Sequence, residues 1–187
     1  MNTLELLQNR KSTPAKCLTE PAPTTEEIEQ IIIAALAAPD HCALKPWEFI
    51  IIKGEARHRL GQLLAEASQH REPSLPMDKI NRQKDKPLRS PMIIVVVAKI
   101  AKNHDKVPEL EQLLSAGVAA NQILLASNTL GYDGIWLSGP NAFEDSLKKG
   151  LGIETKDAIV GFIYLGTSTL KHNHRKPIDP KPFIRYL

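Results

Sequence analysis

Seven consecutive apolar residues, Met92–Ala98 (MIIVVVA), constrain the fold of this chain more than any other stretch. Branching at Cβ favours extended backbone, and a strand without a polar side has no face to turn to water. The run therefore belongs in the middle of a sheet covered on both sides. Ala158–Leu165 (AIVGFIYL) reads as a second buried strand, and Glu48–Lys53 (EFIIIK) and Gly134–Ser138 (GIWLS) as shorter ones.

Helical spacing supplies the cover. Thr24 and Glu27 form a capping box ahead of the apolar run from Ile28 to Ala38, which Pro39 stops. Leu4, Leu6 and Leu7 predict a short first helix ending near Arg10, and Leu60, Leu63, Leu64 and Ala67 a helix opened by Gly54. The longest helical pattern runs from Val107 to Leu130, with Leu110, Leu113, Leu114, Gly117, Ala120, Ile123, Leu124 and Ser127 along one stripe and Gly131 as its cap. Ala142–Leu151 predicts a further helix. Between Gln69 and Ser90 the chain is charged and interrupted by Pro73, Pro76 and Pro87, and reads as a long surface excursion. The pattern is that of one α+β domain over residues 1–187, its strands covered by helices on both sides.

Composition excludes several classes of function. At 187 residues the chain can bury a sizeable core without disulfides, and Cys17 and Cys42 are expected to stay free thiols in a cytoplasmic protein. The longest apolar run, Ile31–Ala38, has eight residues, far short of the ~20 that span a bilayer. A net charge of +3 argues for nucleic acid only if clustered. Lys79, Arg82, Lys84, Lys86 and Arg89 do cluster, but no aromatics are interleaved for base stacking, so a solvated face or a site for an anionic small molecule is the better reading. His41-Cys42 and His172-x-His174 lack a third ligand nearby, and no metal is expected. There is no GxSxG, P-loop, HExxH, CxxC or dinucleotide glycine fingerprint.

What remains are polar residues at element ends. Arg10-Lys11-Ser12 follows the first helix, where two cations and a hydroxyl would suit a phosphate or simply cap the helix dipole. Pro39-Asp40-His41 and Trp136-Leu137-Ser138 would line a pocket or close a core.

Four stretches taken together resemble the FMN-dependent nitroreductase family, in its short bacterial NAD(P)H branch. They are Leu4–Ser12 with its Arg-Lys-Ser ending; Ala37–His41 with Lys45-Pro46-Trp47-Glu48-Phe49; Gly117–Gly131 with Gly134-Ile135-Trp136; and Val160–Thr167 followed by Arg175-Lys176-Pro177. Lys45 stands where Gln is usual, and the branch's Arg near Ala37 is absent.

The resemblance implies a nitroreductase-like α+β fold with a mainly antiparallel central sheet, built as an intertwined homodimer whose C-terminal tail, Lys181–Leu187, extends onto the partner. It implies FMN at the interface, held by Arg10, Lys11 and Ser12, by backbone around Trp136, Leu137 and Ser138, by Pro39 and His41 of the other subunit, and by Arg175. Ala126, Ser127, Asn128, Thr129, Leu130 and Gly131 are associated with the nicotinamide nucleotide. Hydride would pass from NADH or NADPH through the flavin to a nitroaromatic or quinone in a ping-pong cycle. Cations such as Arg10, Lys11 or Lys45 would raise the flavin potential, and no catalytic side chain is required. A flavin-binding store or sensor without turnover is the alternative.

Overall fold

A computed structural model describes residues 2–170 and 178–187. Its sheet has the order β2-β3-β5-β4, with a short β1 (Leu18–Thr19) pairing the far end of β5, and every pairing is antiparallel. The strands are β2 (Trp47–Lys53), β3 (Met92–Ala98), β4 (Asp133–Leu137) and β5 (Ala158–Ser168). β3 is central and every one of its residues is buried. Its alternation divides the core. Met92, Ile94, Val96 and Ala98 pack with helices α2 (Thr25–Leu36) and α5 (Glu109–Thr129), while Ile93, Val95 and Val97 pack beneath α3 (Ala56–Arg71) and α6 (Asp145–Gly150).

β2 is an edge strand. The Lys99 amide donates to the Pro46 carbonyl at 3.1 Å, which sets the alternation of the antiparallel ladder. Glu48, Ile50 and Ile52 therefore bond towards β3, while Phe49, Ile51 and Lys53 turn their backbone groups outward. At the end of β3, buried Asp157 accepts from the Ile100 amide at 2.8 Å and pairs with Lys99, tying β3 to the entry of β5.

The capping box of α2 forms as its sequence predicts: Glu27 N donates to Thr24 Oγ1 at 3.2 Å and Thr24 N to Glu27 Oε2 at 2.8 Å. Tyr132 donates its hydroxyl to the same Glu27 oxygen at 2.7 Å, locking α2 to the turn after α5. These bonds hold the Glu27 carboxyl below its ordinary range, the backbone bond at Thr24 most and the Tyr132 bond next.

Three expectations need correction. The apolar stripe of α5 buries Gln112, Ala116, Ala119, Ala120, Ile123, Leu124 and Ser127, whereas Leu110, Leu113, Leu114 and Val118 face outward. Its alanines allow close approach to the sheet, which turns the bulky leucines of the first half away. The helix expected over 142–151 begins later, after a 3-10 turn at Pro140–Phe143. The supposed excursion at 69–90 is ordered structure: the end of α3, then α4 (Met77–Asp85), then a 3-10 turn at Lys86–Arg89. It lies close against α3, since a Cβ on Gly61 would overlap the Lys84 carbonyl. No helix among the described residues is long and apolar enough to cross a membrane.

Candidate functional site

Two of the expected groups meet at β4. The Thr13 amide donates to the Gly134 carbonyl at 3.0 Å, so the segment after α1 (Thr3–Asn9) runs along the start of the strand. Arg10 and Lys11 are half-buried there, Ser12 is exposed, and Arg10 Nη1 donates to Ser12 Oγ at 3.4 Å. Trp136 and Leu137 end the same strand and Ser138 follows. Gly161 makes room for the indole, since a Cβ there would overlap Trp136 Nε1, and that nitrogen donates to the Val160 carbonyl at 3.3 Å. Val160 is the extra residue where the β3–β5 register slips between Val96 and Val97.

Beyond Ser138 opens a cavity of about 180 Å³. Apolar Leu64, Phe162 and Leu137 line part of it, and Arg71, Gln83, Lys86 and Arg89 the rest. Among the described residues no carboxylate lies within ion-pair distance of Lys86 or Arg89, while Arg71 is 3.6 Å from Glu144. Burial, and then Arg89 and Arg71, push the Lys86 amine below its ordinary value. Burial pushes the Tyr164 phenol, also on the wall, up to about 12, with Arg89 opposing. Gln83 Oε1 is buried without a hydrogen-bond partner. The cavity thus offers positive charge and an unused acceptor, a combination that invites an electron-rich ligand carrying one N–H.

The other predicted residues lie elsewhere. Pro39 and His41 sit in the loop before β2, the edge strand farthest from β4 in the sheet. His41 Nδ1 lies 2.7 Å from Glu111 Oε2 on the first turn of α5. Cys42, Ala43 and Lys45 in this loop adopt left-handed φ values of 62°, 53° and 52°, and the Lys45 amide donates to Asp40 Oδ2 at 2.6 Å. Three strained non-glycine residues in so short a span mark a shape held by its surroundings. Lys45 does not line the cavity beyond β4.

Ala126–Gly131 forms the last turn of α5 and its cap. Ser127 is fully buried, donating to the Ile123 carbonyl at 2.7 Å, and Thr129 donates to the Leu125 carbonyl at 3.0 Å. A helix C-terminus presents carbonyls, so this segment suits a donor such as an amide or ribose hydroxyl better than a phosphate. Arg175 lies outside the described residues. Both cysteines are free, and no group of metal-ligand side chains occurs among the described residues.

Sequence reasoning noticed the cations between Lys79 and Arg89 but not their destination. Arg71, Gln83 and Asn141 carried no signal, because each owes its role to a fold-dependent neighbour.

Comparison with known proteins gives the family and the fold. Residues 7–167 match the model of the nitroreductase family. The chain is 42% identical, over the full length of both, to an Escherichia coli protein named "Putative NAD(P)H nitroreductase YdjA". A nitroreductase-like family protein from Bacillus cereus superposes with a TM-score of 0.84 at 17% identity, covering 100% of this chain and 96% of that one. An FMN-dependent nitroreductase from Clostridium difficile superposes at 0.72 with 21% identity, covering 98% of each chain.

Proposed function

This chain belongs to the nitroreductase family, and we propose that it is an FMN-dependent, cytoplasmic NAD(P)H oxidoreductase acting on nitroaromatic or quinone-type acceptors, with residues 1–187 as one functional domain. The observation that carries this reading is the cavity beyond β4. The pyrimidine edge of an isoalloxazine presents acceptor, donor, acceptor. Gln83 Oε1, buried without a partner, would take the central N–H, and Lys86 and Arg89 would donate to the flanking carbonyls. At about 180 Å³ the cavity is smaller than the ~300–1,000 Å³ that encloses a whole ligand, which suits one edge of a ring whose remainder lies outside. The residues present therefore fit the group.

Arg10, Lys11 and Ser12 flank the opposite end of β4, the side from which a phosphate would be held by a guanidinium, an ammonium and a hydroxyl. Backbone around Trp136, Leu137 and Ser138 would orient the ring, while the Trp136 indole, held by Val160 and Gly161, packs on the α5 side of the sheet. When bound, such a group supplies hydride acceptance from NAD(P)H and hydride delivery to the acceptor. Lys86 and Arg89 would hold positive charge where reduction places negative charge, in a pocket that the ring edge would itself fill. Arg175 would add a cation for the phosphate. The end of α5, Ala126–Gly131, would meet the nicotinamide nucleotide through its carbonyls.

The same reading includes a homodimer. Pro39 and His41 lie before the edge strand farthest from β4 and do not line the cavity, and would serve the site of a second copy. Leu110 and Leu114 on α5 and Phe183 and Tyr186 on the tail are largely exposed, an apolar surface that a second copy would cover. Residues 181–187 would embrace that copy.

The test is optical. Purified protein should carry, or take up, a yellow flavin that bleaches with NADPH or NADH under anaerobic conditions and recovers with nitrofurazone or menadione. Colour that never bleaches would favour a store or sensor. Colourless protein that takes up no FMN would end the proposal.

A further inference from the structure

The third cation of the cavity arrives by a different route from the other two. Lys86 and Arg89 sit on a turn that borders the cavity, whereas Arg71 ends α3 and must be drawn inward to reach the wall. What draws it is Asn141, 70 residues away in sequence. Asn141 is buried and its amide is fully engaged. Nδ2 donates to the Leu64 carbonyl at 3.0 Å and to Ser68 Oγ at 2.9 Å, while Oδ1 faces Ser68 Oγ at 3.0 Å and accepts from Arg71 Nη1. Glu144 Oε1 approaches the same guanidinium nitrogen at 3.6 Å. Left to itself, a helix-terminal arginine keeps its head group in water. Here a buried amide and a carboxylate hold it at a wall that already has two cations.

We propose that Asn141 is a positioning residue that fixes Arg71 as the third cation of the cavity, and that Arg71 and Glu144 act as an opposed pair trimming how strongly the cavity favours reduced over oxidised flavin. The inference rests on the FMN reading given above. Arg71 stabilises the extra negative charge that reduction brings, and Glu144 offsets part of that effect. Asn141 is neutral and contributes through placement alone.

The holoenzyme's flavin midpoint potential reads this out. Arg71→Gln should weaken the preference for the reduced form about tenfold, ~30 mV for a two-electron couple. Arg71→Lys should recover the larger part. Glu144→Gln should shift the potential the other way, upward. Asn141→Asp keeps an acceptor for Arg71 but cancels its charge, and should lower the potential. Asn141→Ala should lower it as Arg71→Gln does, and combining the two should add nothing, because both remove one effect.

A purely structural cluster would instead lower the melting temperature with potentials unmoved, or shift all variants in one direction, and either result overturns the proposal. Additive shifts in the double variant overturn Asn141's part in it. Fully flavin-loaded variants that match the parent's potential refute the inference while leaving the FMN reading intact. Failure of the parent to take up FMN removes both.

Discussion

The two faces of β3 share one backbone and differ in almost everything else. On one side Met92, Ile94, Val96 and Ala98 meet α2 and α5 in a buried apolar layer. On the other, Ile93, Val95 and Val97 lie beneath α3, α6 and strand residues Phe162 and Tyr164, whose layer opens into a cavity edged by three cations and an orphaned amide oxygen. The first face is closed and apolar, and the second carries crowded cations around the cavity to which the proposed function assigns the flavin edge. Substitutions on the two faces should therefore separate folding from ligand retention.

The largest effect belongs to the closed face. Ile94 is fully buried, and Ile94→Ala should remove about 3 kcal/mol of stability by lost transfer energy and a residual void, measured as a shifted denaturant midpoint. Flavin affinity of the folded fraction should stay at the parent's value. Next comes the cavity, where Lys86→Met should loosen FMN by about tenfold, ~1.4 kcal/mol, in a titration followed by flavin fluorescence. The flavin-free protein should be as stable as the parent or more so, because a crowded, partly buried charge has gone. A loss of stability comparable to Ile94→Ala would erase the contrast.

Smaller still, Arg10→Ala or Ser12→Ala should weaken FMN retention by about fivefold, ~1 kcal/mol, with an unchanged melting temperature. Flavin content equal to the parent's would remove these residues from the phosphate site.

The smallest effect is an alkaline signature in the flavin-free protein. The Lys86 amine is lowered in the folded chain, so the fold binds fewer protons than the unfolded chain between its shifted value and the ordinary 10.5. Stability should rise with pH across that window. The Lys99 amine is raised, chiefly by its bond to Asp157, so its contribution is complete below 10.5 and is lost as pH climbs through the higher value. The Tyr164 phenol, raised by burial to about 12, likewise loses its contribution as pH climbs from 10 to about 12. Stability against pH should climb and then fall, and Lys86→Met should abolish the climb while sparing the fall. Urea melts across the alkaline range would show it.

Legibility in the sequence followed the same divide. β3 and α2 could be read because an unbroken apolar run and a capping box act locally, whatever else the chain does. The α5 stripe was half legible: its helix is evident, but which side faces the sheet depends on Ala116, Ala119 and Ala120 meeting particular neighbours. Segment 69–90 was misread because α4 buries only Ile80, has Pro76 instead of a hydroxyl at its N-cap, and owes its place to a glycine on another helix. The Arg10–Ser12 and Trp136–Ser138 groups stand out as polar residues at element ends, family likeness gives them their expected roles, and the Thr13–Gly134 bond brings them to one strand. The cavity lay beyond reach, since Arg71, Gln83 and Lys86 gain meaning only when two helices and a turn converge.

The outward-facing backbone of β2 has its own consequence. Ile50 and Ile52 hold their amide protons inside the ladder, while those of Phe49 and Ile51 point to an open flank. Deuterium uptake along this strand should consequently alternate, slow and fast, residue by residue in a lone subunit. Any chain segment that docked along the flank would quench the fast positions and leave the slow ones as they were, so this short stretch doubles as a built-in gauge of assembly.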